Sequence, residues 1–168
     1  MQYEKPILGC DLCNTIADIN TRLFAITGMR DIANYPLPLP HGFFATNSDI
    51  FWAAKPFRGA PEILRHLVNQ GAEIHYITAR PEWAREITTK WLSRHGFPGG
   101  EIHMAQPKKD VIKRYNIELM IEDHPGEILA IKDLCHVLVR AQPYNVGHPN
   151  RFTHWGQVVN LIHRNRGK

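Results

Sequence analysis

The chain has 168 residues, 43% of them hydrophobic and 21% charged, a composition typical of a folded globular domain and unlike that of disordered or fibrous proteins. Its net charge of +4 is modest and its basic residues are scattered, which favours a small anionic partner over a nucleic-acid polymer. Three irregularly spaced cysteines argue against a disulfide framework, and no apolar run approaches the ~20 residues of a membrane span. We therefore predict a single domain over residues 1–168, located in the cytoplasm and not bound to a membrane.

The first apolar stretch runs from Ile7 to Ile16 and is interrupted by an aspartate and short polar residues. This pattern predicts a buried strand that carries Asp11 at its carboxyl end. In open α/β sheets, ligands bind at that edge. We therefore expect the functional site to be organised around Asp11.

The region that follows this strand has two parts. Residues 18–27 have the apolar spacing of a short amphipathic helix, which Gly28 can end. Residues 29–58 form no regular pattern and are too many for a plain connection in a compact domain. We interpret residues 17–57 as a small cap insert, either a lid or a binding segment. It contains four large aromatic residues, Phe43, Phe44, Phe51 and Trp52.

Regular alternation of helix and strand begins after this insert. Helices are predicted at residues 61–69, 81–94, 108–115, 125–134 and 155–164, and strands at 72–78, 101–105, 118–121 and 136–141. With the first strand, this order predicts an α/β fold in which a five-stranded parallel sheet has helices on both faces.

Polar residues follow four of the predicted strands at the point where each strand ends. In chain order they are Asp11 and Thr15, then Thr78, then Lys108 and Lys109, then Glu122 and Asp123. The carboxyl ends of parallel strands meet at one edge of a sheet. A carboxylate nucleophile, phosphate-binding donors and hard oxygen ligands for Mg²⁺ are what the chemistry of a phosphate monoester requires.

These residues resemble the four motifs of the haloacid dehalogenase (HAD) superfamily. The matching segments are Cys10-Asp11-Leu12-Cys13-Asn14-Thr15, Ile77-Thr78-Ala79-Arg80, Pro107-Lys108-Lys109-Asp110 and Ile121-Glu122-Asp123. Two further segments resemble the 5′(3′)-deoxyribonucleotidase family, namely Lys55 to Ala60, and Gln142 to Asn145 with Arg151 and Trp155. The resemblance implies a three-layer Rossmannoid fold.

The same resemblance implies a nucleophile and a metal site. Asp11 would attack the phosphorus atom and become an aspartyl phosphate. Mg²⁺ would be held by Asp11, by the backbone carbonyl of Cys13 and by Asp123. Glu122 is then expected to orient a ligand rather than to bind the metal.

The resemblance also implies residues that contact the substrate. Thr78, Ala79 and Lys109 would hold the phosphate together with Thr15; Lys109 aligns better than Lys108 because Asp110-Val111-Ile112 follows it. Phe51 and Trp52 would pack against the base of a nucleotide. Whether the protein forms a homodimer is left open.

Cys13 departs from the pattern of the superfamily's phosphatases. They have an aspartate at this position, which acts as general acid and then as general base, whereas a thiol with a pKa near 8.5 is poor in both roles. Three interpretations follow: a slow Mg²⁺-dependent phosphohydrolase of nucleoside monophosphates or similar monoesters, a protein that binds such ligands without turnover, or an enzyme with other leaving-group chemistry, such as a dehalogenase. The acidic pair Glu122-Asp123 argues against the last, because halide displacement needs no metal.

Overall fold

A computed structural model describes residues 5–29 and 37–166 of the chain. Its strands are Ile7–Cys10 (β1), Ala17–Asp18 (β2), Lys55–Pro56 (β3), Glu73–Thr78 (β4), Glu101–Met104 (β5), Leu119–Glu122 (β6), His136–Arg140 (β7) and Arg151–Phe152 (β8). Its helices are Ile19–Thr27 (α1), Phe43–Thr46 (α2), Asp49–Ala53 (α3), Ala60–Asn69 (α4), Arg85–Arg94 (α5), Lys109–Arg114 (α6), Pro125–Ile131 (α7) and Val158–Arg166 (α8). Within these described ranges, none of the helices has the length and apolar content to cross a membrane.

The main sheet is parallel, and β1 lies near its centre. The strand order is β5-β4-β1-β6-β7-β8, and each neighbouring pair is parallel. Cys10, the last residue of β1, pairs with Tyr76 on one side and with Ile121 on the other. The predicted parallel α/β fold is confirmed. The sheet has a sixth strand, β8, which was not predicted because two residues are too few to show alternation.

Alternating side chains of the strands supply two separate hydrophobic cores. On β6, Leu119 and Ile121 join the core that contains Leu64 of α4 and Trp91 of α5. Met120, between them, joins the core that contains helices α6 and α7. Because successive strand residues point to opposite faces, the predicted helical layers lie on both sides of the sheet.

The segment between β1 and α4 forms a small unit beside the sheet's carboxyl edge. Its strands β2 and β3 pair in an antiparallel ladder. Asp18 accepts a hydrogen bond from the backbone N–H of Thr21 and so caps α1, and Gly28 ends that helix at a φ of 71°. Trp91 joins the unit to α5 by donating its indole N–H to the carbonyl of Ala54 at 2.9 Å. That residues 17–57 act as a cap stays a prediction, and residues 30–36 of it lie outside the described residues.

A close approach between the start of β5 and β4 predicts a large difference between two neighbouring glycines. A Cβ atom on Gly100 would lie 2.4 Å from the carbonyl oxygen of Ile74, a backbone atom that cannot move without shifting the central sheet, whereas a Cβ on Gly99 would meet nothing within 4 Å. We expect Gly100→Ala to reduce the free energy of unfolding by about 1–3 kcal/mol. Urea denaturation should show almost no change for Gly99→Ala; equal midpoints for the two variants would contradict this account.

Candidate active site

Three carboxylates and one lysine form a buried cluster at the carboxyl edge of the sheet. Asp11 follows β1 directly, Glu122 is the last residue of β6 and Asp123 is the next. The Nζ atom of Lys108 lies 2.5 Å from Oδ1 of Asp11 and 2.6 Å from Oε2 of Glu122. The parallel sheet therefore brings together groups that are up to 112 positions apart in sequence.

The lysine in this cluster is Lys108, and the prediction that Lys109 is the site lysine is corrected. Lys108 is buried, whereas the side chain of Lys109 is exposed at the start of α6 and does not line the cavity beside Asp11. Consecutive residues at a helix start point about 100° apart, so only one of two adjacent lysines can face the carboxylates.

Asp123 is held in place by hydrogen bonds to its carboxylate and to its backbone carbonyl. Its Oδ1 atom accepts a hydrogen bond from the hydroxyl of Thr15 at 2.9 Å, its Oδ2 atom accepts one from the hydroxyl of Tyr144, and its backbone carbonyl accepts one from Asn145 at 2.8 Å. The predicted role of Thr15 as a phosphate ligand is therefore corrected, because its fully buried hydroxyl is already bonded to Asp123.

Glu122 fixes the turn that carries Asp123. Its Oε1 atom accepts hydrogen bonds from the backbone N–H groups of Asp123 and His124, at 2.9 and 3.0 Å. Its Oε2 atom accepts the bond from Lys108. Since both oxygens are engaged, the geometry fits the orienting role expected for Glu122.

The cluster carries more negative charge than its single lysine can balance. Burial and the nearby Asp11 carboxylate raise the pKa of Glu122 to about 7. The pKa of Asp123 is raised well above its usual range, first by burial and then by the negative charges of Asp11 and Glu122. Burial opposes the ammonium of Lys108, but the facing carboxylates of Asp11 and Glu122 outweigh it and raise its pKa. An additional cation would relieve this repulsion.

The donor set fits a hard divalent cation. Carboxylate oxygens of Asp11, Glu122 and Asp123 lie within 4.8 Å of one another. The backbone carbonyl of Cys13 accepts no hydrogen bond from any described residue. Mg²⁺ is bound in proteins by one or two carboxylates and otherwise by water and phosphate oxygens, so these atoms suit it.

A cavity of about 150 Å³ opens from Asp11 toward the small unit. Its walls include three of the predicted substrate residues, Thr78, Ala79 and Phe51, and the neighbouring Phe44, whose ring stacks on that of Phe51 at 5.3 Å between centroids. Trp52 is not part of it. Its indole is partly exposed and packs against the guanidinium of Arg94, 4.6 Å from the ring centroid, so the predicted contact with a base is corrected for Trp52.

Cys13 lies at the cavity with its sulfur beside an arginine. The Nε atom of Arg80 donates a hydrogen bond to Sγ of Cys13 at 3.2 Å, and Nη1 donates one to Thr88 at 3.0 Å. The Nη2 atom of Arg80 is buried and has no acceptor among the described residues. Desolvation raises the pKa of the Cys13 thiol, and the guanidinium only partly offsets this. The thiol therefore stays protonated at neutral pH.

The sequence motifs gave no role to Arg80 and did not include Glu127, and the side chains of both line the cavity. The carboxylate of Glu127 lines the cavity and accepts a hydrogen bond from the backbone N–H of Lys108 at 3.4 Å. Its position in the first turn of α7, five residues after the carboxyl end of β6, is a signal that could have found it.

The sequence is similar to two groups of known proteins. The family model of the LNS2 domain of PITM 1–3 matches residues 41–123. A putative nucleotidase of Bacillus cereus is 35% identical over 121 residues, which cover 67% of this chain and 63% of that protein. The chain thus spans less than two thirds of the length of this relative.

Solved structures with the same fold are more distant in sequence. A haloacid dehalogenase-like protein of Agrobacterium tumefaciens has a TM-score of 0.65 at 9% identity, covering 96% of this chain and 99% of that one. The class C acid phosphatase of Bacillus anthracis with tungstate bound has a TM-score of 0.61 at 18% identity, covering 98% and 80%. The fold is therefore that of haloacid dehalogenase-like proteins, and the sequence is similar to that of a putative nucleotidase.

Proposed function

We propose that the protein is a Mg²⁺-dependent phosphohydrolase that removes phosphate from nucleoside monophosphates or similar small monoesters. The observation that carries this proposal is the buried cluster in which Lys108 bridges Asp11 and Glu122, with Asp123 beside them, at the mouth of a cavity. This set combines a nucleophile, a fixed positive charge and metal ligands.

In the proposed reaction Asp11 attacks the phosphorus atom. Its Oδ1 atom is held by Lys108, whereas Oδ2 accepts no hydrogen bond from any described residue, so we assign the attack to Oδ2. A bond forms between this oxygen and phosphorus while the ester P–O bond breaks, which gives an aspartyl phosphate. The leaving oxygen takes a proton from solvent and departs as the alcohol. Water then attacks the aspartyl phosphate and releases inorganic phosphate, restoring Asp11.

Other residues of the chain position the phosphate. Thr78 and Ala79 line the cavity beside Asp11, and the unpaired Nη2 of Arg80 is a donor for an anion there. Asp11, Asp123 and the carbonyl of Cys13 would hold Mg²⁺, which would neutralise charge on the phosphoryl oxygens. Phe44 and Phe51 supply an apolar wall suited to a nucleoside.

One observation favours a second candidate function, phosphate binding without turnover. The raised pKa of Cys13 and its hydrogen bond from Arg80 make this residue a poor acid and a poor base. A protein of this kind would bind the monoester and Mg²⁺ but leave the ester bond intact or stop at the aspartyl phosphate.

Phosphate release separates the two candidates. We expect slow, Mg²⁺-dependent release from a panel of nucleoside and deoxynucleoside monophosphates, and none from Asp11→Asn. Asp110→Asn, an exposed aspartate on α6, should match the wild type. If no phosphate is released but Mg²⁺ and nucleotide raise the melting temperature, the function without turnover holds. Transfer of label from a ³²P-labelled monoester would then show that the reaction stops at the aspartyl phosphate, and no transfer would show that the ester bond stays intact.

One further prediction and one open question accompany this proposal. Cys10, Cys13 and Cys135 are free thiols, in keeping with the reducing cytoplasm that we expect as the location. Self-association through residues 17–57 stays open, and sedimentation at several protein concentrations would decide it.

A further inference from the structure

Two histidines and a glutamate lie close together on the outer strand β5 and its neighbour β4, away from the carboxylate cluster. His75 lies on β4, and Glu101 and His103 lie on the neighbouring edge strand β5. Nδ1 of His75 and Nε2 of His103 are 2.9 Å apart. Oε2 of Glu101 lies 3.4 Å from that atom of His103 and 3.9 Å from that atom of His75.

The three atoms have the spacing of ligands that share one ion. The point equidistant from the two nitrogen atoms and the carboxylate oxygen lies about 2.0 Å from each of them. This distance is the Zn–N and Zn–O bond length in proteins. A small rotation of the Glu101 side chain, which is largely exposed, would let an ion sit just outside the plane of the three atoms and contact all of them without movement of the backbone.

The ring of His75 is held in the orientation that a ligand needs. Its second nitrogen, Nε2, lies 3.0 Å from a carboxylate oxygen of Glu73, so Nδ1 is turned toward His103 and Glu101. Outer carboxylates of this kind orient histidine ligands and fix their tautomer in metalloproteins. Tyr115 packs against both imidazoles, with ring centroids at 5.0 and 4.6 Å.

We propose that His75, His103 and Glu101 form a binding site for Zn²⁺ or a similar divalent transition metal. Two imidazoles and one carboxylate suit such ions, whereas the carboxylate cluster at Asp11 suits Mg²⁺. His75 precedes Thr78 by three residues, about 10 Å along β4, so the two sites are separate. Three protein ligands leave a fourth position for water or a further group. This site does not depend on the proposed phosphatase activity.

Metal titration of the untagged, metal-free full chain tests the proposal. Millimolar Mg²⁺ is present to occupy the carboxylate cluster. We then expect the protein to compete with a chromophoric chelator for one equivalent of Zn²⁺. One equivalent of Co²⁺ should give visible absorption bands of a nitrogen- and oxygen-ligated ion. Glu101→Gln and His103→Gln should each weaken binding by at least ~10²-fold, and Glu73→Gln by about 10–100-fold.

Matched controls keep the result interpretable. The side chain of Glu101 is 62% exposed, so Glu101→Gln should fold normally, which circular dichroism would verify. His136→Gln alters an exposed histidine three strands away from β4 and should bind Zn²⁺ as the wild type does. Asp11→Asn should also bind normally, even though it abolishes phosphate release.

Two outcomes would overturn the proposal. One is a wild-type protein that takes up no Zn²⁺ or Co²⁺ in the presence of Mg²⁺, which would make the cluster a hydrogen-bonded histidine pair only. The other is unchanged affinity in both Glu101→Gln and His103→Gln, which would place any bound metal elsewhere.

Discussion

Replacement of Lys108 by methionine is expected to destabilise the protein severely. Nζ of Lys108 bridges two buried carboxylates at 2.5 and 2.6 Å, and its loss leaves Asp11 and Glu122 facing each other without a counter-charge. Breaking a buried ion pair by removing one partner costs about 3–5 kcal/mol. Urea denaturation without divalent cations should show this loss, and phosphate release should disappear.

The neighbouring lysine provides the control. Lys109→Met changes an exposed side chain of the same type one position away, and its free energy of unfolding should stay within about 0.5 kcal/mol of the wild type. Adding Glu122→Gln to Lys108→Met removes one of the unpaired charges and should recover part of the stability. Equal damage from Lys108→Met and Lys109→Met would show that the bridge is not formed.

Cys13→Asp is expected to raise the rate of phosphate release about 10²–10⁴-fold, the usual contribution of a positioned general acid–base group. Nε of Arg80 lies 3.2 Å from the sulfur and would hold a carboxylate introduced at this position. Steady-state release from the best nucleoside monophosphate, compared with wild type at the same Mg²⁺ concentration, measures the gain.

Cys13→Ser separates the chemistry of this position from its size. Serine is close to cysteine in volume but has no group that titrates near neutral pH, so its release rate should not exceed that of the wild type. A gain in Cys13→Ser equal to that in Cys13→Asp would point to a steric effect. If neither variant nor wild type releases phosphate, the binding function becomes the better account.

The sequence predicted the layout of the fold because the informative patterns are local and long enough to read. The strand that carries Asp11 and the one that ends at Glu122 are apolar runs closed by charged residues, and helices separate the later strands. Since parallel strands must align their carboxyl ends, placing Asp11, Thr78 and Asp123 at one edge needed no tertiary information.

The incorrect site predictions concern neighbouring residues of similar type, which the local sequence pattern does not distinguish. Lys108 and Lys109 are identical side chains on consecutive residues, and Phe51 and Trp52 are consecutive aromatics on α3. Neighbours on a helix point about 100° apart, and the packing of distant elements decides which one faces the site. Thr15 was misassigned for a related reason. Its hydroxyl meets Asp123, 108 positions later in the chain, and no local signal records that bond.

Arg80 touches three other parts of the chain at once, and this has a thermodynamic consequence. Its guanidinium lies 4.3 Å from the ring centroid of Phe51, donates to Cys13 and donates to Thr88. A ligand that displaces Phe51 therefore alters the surroundings of the Cys13 sulfur through the same group. By linkage, the factor by which such a ligand changes the ionisation of the thiol is the factor by which ionisation changes the ligand's affinity. The rate at which an alkylating reagent modifies Cys13, resolved from Cys10 and Cys135 by mass spectrometry, should therefore change when a ligand displaces Phe51.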